Sequence, residues 1–183
     1  MSLWKADRLK TSTTATQADG DCMVDVKHRM DIAQAAFNEL RTIWSDHILS
    51  LLIKLRLYRL AVCSTLKNGC EAWKLTPKVK RVLNGFNCRC LNRITGKCYR
   101  DTATNPDFNL VLAIRKRRLR YLGHILRMNA NRLVRRTFIA YVSTSGGPPV
   151  GSLLDDCYNK DIQQLADFSQ DRCKWRELAN NLI

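Results

Sequence analysis

The chain has 183 residues, of which 45% are hydrophobic, so it can bury a core as one domain or as one domain with an appendage. It carries 31 Lys and Arg against 16 Asp and Glu, a formal net charge of +15. The first residues lack the apolar core of a secretory signal, and charged residues interrupt the apolar run 48–62, which excludes a membrane span. With eight cysteines, this pattern predicts an intracellular protein with reduced thiols, in the nucleus or the cytoplasm.

The positive charge is confined to the middle of the chain. Residues 74–141 contain 17 basic and 2 acidic residues, whereas the two flanks together contain 14 of each sign. A charged helix face is often only a solvated surface, but a surface that merely keeps a protein soluble mixes the two signs throughout. This segregation favours an acidic partner, and nucleic acid is a better candidate than a membrane.

The first third of the chain predicts a helical hairpin. Residues 1–22 have no clear period and are expected to form a disordered lead-in. Apolar residues spaced alternately by four and three positions predict a helix over 25–44, with Trp44 in its buried seam. After the short connection 45–50, a second apolar stripe continues until Gly69, so the two helices should pack against each other.

Start and stop signals predict two further helices. A cap residue and a first-turn proline at 76–77 begin the third helix, and Gly96 ends it. The same two residue types at 105–106 predict the start of the fourth helix, which runs to about Met128.

Glycine and proline mark one linker near the end of the chain. After another short helix, residues 143–151 read STSGGPPVG and are predicted to be a linker. Two short helices follow within 152–183. Because no strand pattern extends beyond a few residues, the predicted fold is all-α: a helical bundle over 23–142 with a C-terminal helical appendage.

The fourth helix separates apolar from basic side chains along 114–128, IRKRRLRYLGHILRM. Its leucines recur at helical spacing, and basic side chains spaced by four, four and three positions lie on a different face. Such a helix is stable when its leucines are buried and an anion, such as a polyphosphate strand, lies along its basic side. The predicted nucleic-acid contacts are Arg115, Lys116, Arg117, Arg118, Arg120, His124 and Arg127, with Lys78, Lys80, Arg81, Arg89 and Arg93 of the preceding helix as a second bank.

The cysteines are spaced unlike zinc ligands. Four of them fall close together: Cys70, Cys88, Cys90 and Cys98. They contain no Cys-x-x-Cys pair, which structural zinc sites commonly use, and Cys90 falls on the apolar stripe of its helix. This favours core thiols over a zinc site. We therefore predict no metal and no cofactor.

No other group of side chains predicts catalysis. Asp155 and Asp156 are the adjacent carboxylate pair that a polymerase metal site would need, but they fit the first turn of a helix better. His124 has no neighbouring nucleophile or carboxylate in its helix that would make it catalytic. Trp73 and Trp175 are expected to pack, at the entry of the third helix and in the appendage, rather than to stack on bases.

Three islands of sequence resemble the C-terminal portion of non-LTR retrotransposon endonuclease/reverse transcriptases, over about 19–183. The first extends from DVK at 25–27 to Trp44, the second is NGCEAW at 68–73 with RCLNRI at 89–94, and the third is RLRYLGHILRM at 118–128. The Arg172 and Trp175 region near the end is also similar to the closing motif of the family.

The resemblance implies thumb and post-thumb helices, which follow the polymerase palm and grip the backbone of a template–primer duplex. The palm and its carboxylates are missing, and residues 67–68 and the segment before 19 depart from the family pattern. We therefore expect a non-catalytic nucleic-acid-binding fragment, with a reverse-transcriptase palm or a second copy as further candidate partners. Two alternatives stay open: an assembly fragment that dimerises through the seam of 25–44, and a relic of a mobile element without function.

Overall fold

A computed structural model describes residues 22–96, 108–144 and 162–181. Throughout these ranges the ordered elements are helices and turns with no strand, so the predicted all-α class is confirmed. No helix in the described ranges combines the length and the apolar character that a membrane crossing needs.

The helices follow the predicted order with some changes of boundary. The predicted first helix is divided at Leu40, and the second contains a π-helical turn, Tyr58–Val62. The bounds are α1 (Met23–Glu39), α2 (Arg41–Ser45), α3 (Leu51–Leu57), α4 (Cys63–Leu66), α5 (Pro77–Thr95), α6 (Leu110–Arg127), α7 (Leu133–Thr144), α8 (Ile162–Gln170) and α9 (Arg172–Asn181).

The predicted hairpin of the first helices is confirmed. Trp44 is buried in the seam, and its indole Nε1 donates to the Phe37 carbonyl oxygen at 2.8 Å, across the break between α1 and α2. The buried Lys54 Nζ donates to the Trp44 carbonyl oxygen at 3.0 Å and so connects α3 to the end of α2. Val26, Ala33, Phe37 and Trp44 of the seam are buried in the core, and its other two residues, Met30 and Leu40, are partly buried against it.

The disordered lead-in predicted for residues 1–22 includes one residue, Cys22, that belongs to the core. Cys22 is buried in the core and its Sγ lies 3.4 Å from the Lys74 carbonyl oxygen, so the prediction of disorder is wrong at this residue. Residues 1–21 lie outside the described part of the chain, as do the Asp155-Asp156 pair and most of the predicted linker. Ser143 and Thr144, the first two linker residues, belong to α7.

Side-chain caps fix where α5 and α6 begin. Thr76 accepts a hydrogen bond from the Val79 N–H at 3.3 Å, and Gly96 ends α5 with a positive φ of 66°, as predicted. The start of α6 was placed too early by the 105–106 signal, because the cap is Asn109, which accepts from the Leu112 N–H at 3.0 Å. A cap needs a side-chain oxygen one turn from a free amide, and Asn109 provides it.

Helix α6 contributes to two cores. Its first turns, with Leu110 and Ile114, pack among the buried side chains of α1–α5. Its later turns, with Leu119, Leu122 and Leu126, pack against buried residues of α8 and α9. The amphipathic helix of the sequence is thus the element that connects the bundle to the C-terminal helices.

Trp175 fixes α9 against α6, and the prediction that it packs is confirmed. Its buried indole Nε1 donates to the Leu119 carbonyl oxygen at 2.9 Å, and its ring lies directly on Gly123. A Cβ at position 123 would overlap the indole ring. This contact explains a glycine in the middle of α6, where it costs about 1 kcal/mol of helix propensity relative to alanine.

We predict that Gly123→Ala destabilises the protein by about 1–3 kcal/mol, because the added methyl displaces the Trp175 indole from an already filled contact. The free energy of unfolding, measured by urea denaturation, tests this. The matched control is Gly85→Ala in α5, where the added Cβ meets only the guanidinium end of Arg89 at 3.6 Å. That variant should be as stable as the parent or more stable, and equal destabilisation by both changes would contradict the prediction.

Candidate nucleic-acid interface

Five basic side chains form a row along α6. They occupy roughly 100° of the helix circumference at 100° per residue, opposite the leucines of the second core. Three of them are exposed and two are half-buried, so the predicted separation of basic and apolar faces is confirmed. The row, called the α6 basic row below, consists of Lys116, Arg117, Arg120, His124 and Arg127.

Two of the predicted contacts do not belong to this row. Arg118 is only 1% exposed, so the prediction that it widens the exposed basic side is wrong. It follows Ile114 by four residues and precedes Leu122 by four, which places it on the side of α6 that faces the core. Arg115 is half-buried on the same side of the helix.

One member of the row is partly neutralised by a carboxylate. Glu71 lies in the 3₁₀ turn Cys70–Ala72, and its Oε1 accepts a hydrogen bond from Arg117 Nε. This hydrogen bond raises the pKa of Arg117. By contrast, Lys116, Arg120 and His124 form no ion pair with any acidic residue in the described ranges. Within those ranges, no carboxylate neutralises these three side chains.

The turn that carries Glu71 is itself fixed to α1. Gly69 adopts a φ of 77°, which reverses the chain after α4, and Cys70 is fully buried. Trp73 is buried and its indole Nε1 donates to Asp25 Oδ2 at 2.6 Å, so it packs as expected but against α1. The Glu71 carboxylate therefore meets α6 from a turn with a defined position.

Most of the predicted nucleic-acid contacts on α5, the second bank, lie on one exposed side of that helix. Lys78, Arg81, Arg89 and Arg93 are exposed and recur on one side of the helix. Lys80 is half-buried and lies nearer the buried stripe, so it does not share their side. Four of the five predicted contacts on α5 therefore share one exposed side of the helix, and their role in binding stays a prediction.

A cleft lies where the α6 basic row meets α9. Its volume is about 590 Å³, and none of the described residues that line it is acidic. The lining side chains are Arg120, His124, Arg127, Met128, Arg172, Trp175 and Arg176. It is called the arginine cleft below.

Arg172 and Arg176 are not among the predicted contacts. They lie in the C-terminal flank 142–183, which contains 4 basic and 6 acidic residues, so counting charge by segment does not single them out. Their spacing of four residues, with Trp175 between them, was the available signal, because it places both guanidinium groups on one side of a helix.

Arg127 is held in place at the end of the cleft. Its Nη1 donates to the Ser169 carbonyl oxygen at 2.9 Å, in the last turn of α8, where a cation is favoured by the helix dipole. Burial and, after it, the nearby charge of Arg172 lower the pKa of Arg127. The two guanidinium groups are therefore close enough to repel each other.

The cysteines near this surface lie within the protein core. Cys70 and Cys90 are buried, as the core-thiol interpretation requires, and burial raises the pKa of each to about 12. Cys88 is half-buried, and Cys98 lies outside the described residues. Among the residues that the structure describes, no three His, Cys, Asp or Glu side chains are grouped so that they could hold a metal.

We predict that iodoacetamide at pH 8 modifies the exposed Cys173 in the folded protein while Cys70 and Cys90 stay unmodified. The two core thiols are buried and, with pKa values of about 12, almost fully protonated at this pH. Peptide mass spectrometry would measure the modification at each site. In 8 M urea the three thiols should react at similar rates, and fast modification of Cys70 without urea would contradict the prediction.

Comparisons with protein-family models, with curated proteins and with solved structures find no match for this chain.

Proposed function

We propose that this protein is a non-catalytic fragment that binds nucleic acid through the phosphodiester backbone. The observation that carries the proposal is the α6 basic row, which lies on a packed helix and continues into the arginine cleft. A row of guanidinium and ammonium groups on a rigid rod matches the repeated charges of a phosphate backbone. The kinship to the thumb region of a retrotransposon reverse transcriptase is part of the same proposal, and rests on the three sequence islands.

Contacts of this kind determine affinity rather than sequence preference. Arginine and lysine bind phosphate oxygens that are the same at every nucleotide, so they carry little sequence information. Binding releases condensed counterions, and its strength therefore falls steeply as salt is added. The fragment should accordingly bind many sequences with similar affinity.

We predict a log–log slope of affinity against salt concentration of about −4 on duplex DNA, for about five phosphate contacts. Replacing Lys116 and Arg120 by glutamine should weaken binding to all sequences and reduce the magnitude of the slope by about 1 for each lost contact. Fluorescence anisotropy at several salt concentrations measures both quantities.

The matched control replaces Lys27 and Arg41, two exposed basic residues of α1 and α2, by glutamine. It removes the same net charge outside both basic banks and should leave the slope unchanged. A flat salt response of the parent protein, or equal effects of the two pairs, would refute binding through α6. Circular dichroism should show the same helicity for all three proteins.

A second candidate function, helix-mediated assembly, is favoured by exposed apolar side chains around α3. Ile48 is 94% exposed, Leu52 75% and Leu60 65%. Apolar residues this exposed are often found where a protein associates with a partner. The seam of α1 and α2 already packs within the molecule, so self-association would involve these side chains instead.

For the assembly function, we expect light scattering to give a dimer whose mass is unchanged by oligonucleotide, and Leu52→Glu with Leu60→Glu to convert it to a monomer. Under the nucleic-acid function, the protein is a monomer until oligonucleotide is added. A dimer that persists in the double glutamate variant would contradict association through α3. The measurement thus separates the two functions.

A further inference from the structure

We infer that the arginine cleft is a binding site for one nucleotide of a single strand, such as an unpaired end, with its phosphate between the arginines of α6 and α9. This inference rests on the proposed nucleic-acid binding and adds to it the form of nucleic acid that the cleft takes. It also gives α9 a role in binding that the charge of its flank, with 4 basic and 6 acidic residues over 142–183, does not indicate.

The size of the cleft favours a single nucleotide. Its volume of about 590 Å³ lies within the range of pockets that enclose small molecules, about 300–1,000 Å³. A duplex is too wide to enter a space of this size and can only lie across its mouth. A nucleotide at the end of a strand, or one released from its base pair, can enter.

The charge of the cleft comes from two helices. Arg120 and His124 belong to α6, and Arg172 and Arg176 belong to α9. Guanidinium groups that come from two helices can bind one phosphate together and share its oxygens. The arrangement is therefore suited to a phosphate held at the junction of α6 and α9.

The arginines of the cleft repel one another when no anion is bound. Arg127 is anchored to the Ser169 carbonyl oxygen and cannot move away freely from Arg172, whose charge contributes to the lowered pKa of Arg127. A phosphate between them replaces this repulsion by attraction. Ligand binding should thus stabilise the junction of α6 and α9.

The cleft also has apolar surface beside its charges. Met128, which is half-buried, lines it, whereas Trp175, the other apolar lining residue, is only 3% exposed and is held by its hydrogen bond to the Leu119 carbonyl oxygen. An inorganic phosphate would leave this surface uncovered, whereas the sugar or base of a nucleotide can pack on it. Apolar surface next to the phosphate site therefore favours a nucleotide over a free anion.

The test compares a fluorescein-labelled, 5′-phosphorylated pentathymidylate with a 20-base-pair duplex by anisotropy. In the double variant Arg172→Gln, Arg176→Gln, the affinity for pentathymidylate should fall at least tenfold relative to the parent. The matched control, Lys27→Gln with Arg41→Gln, removes equal charge from exposed positions of α1 and α2, outside both sets of predicted nucleic-acid contacts. It should reduce that affinity less than threefold. On the duplex, the two double variants should differ less than threefold from each other.

Competition identifies what the cleft recognises. Thymidine 5′-monophosphate should displace pentathymidylate at a concentration at least tenfold lower than inorganic phosphate does. Equal competition would reduce the site to a general anion site and overturn the inference. If the two double variants lose pentathymidylate affinity equally while the duplex still binds, the inference fails and the proposed function stands. If the parent protein binds neither probe, both fail.

Discussion

The contact between the Trp175 indole and Gly123 is the interaction on which the arrangement of α6 and α9 depends. The ring occupies the space that a side chain would fill, and its N–H satisfies a carbonyl oxygen of α6. A buried indole N–H without an acceptor would cost free energy, so the hydrogen bond determines the depth and direction of the ring. Because Trp175 lies within α9, the same contact brings Arg172 and Arg176 of that helix to the basic side of α6.

Helix α6 has little freedom to rotate, because it contributes to two cores at once. In its first turns, Ile114 packs in the core of the bundle. In its later turns, Leu119, Leu122 and Leu126 pack against the C-terminal helices. The part of its circumference that remains is occupied by the α6 basic row. An apolar stripe that broad leaves no room for every basic residue on the outer side, which is why Arg118 is directed inward.

Polar contacts between distant parts of the chain orient the start of α6. Asn87 of α5 accepts from the buried Tyr58 hydroxyl at 2.9 Å and donates to the Phe108 carbonyl oxygen at 2.7 Å, just before the cap of α6. Glu71, two residues after the chain reversal at Gly69, accepts a hydrogen bond from Arg117 of α6. The hydrogen bonds of the buried Asn87 are costly to leave half-made, so they favour one register of α6 over its neighbours. The register of α6 in turn determines where the α6 basic row and the α6 side of the arginine cleft lie.

Local patterns in the sequence determined the helices, the Thr76 and Gly96 boundaries, and the division of α6 into apolar and basic faces, because caps and helical spacing act within a few residues. Tertiary structure alone decided that Arg118 is buried, that Glu71 meets Arg117, and that Arg172 and Arg176 face α6. These outcomes depend on which surfaces meet, and residues separated by dozens of positions leave no periodic signal of their contact. The sequence therefore specified a charged helix, and packing specified the cleft beside it.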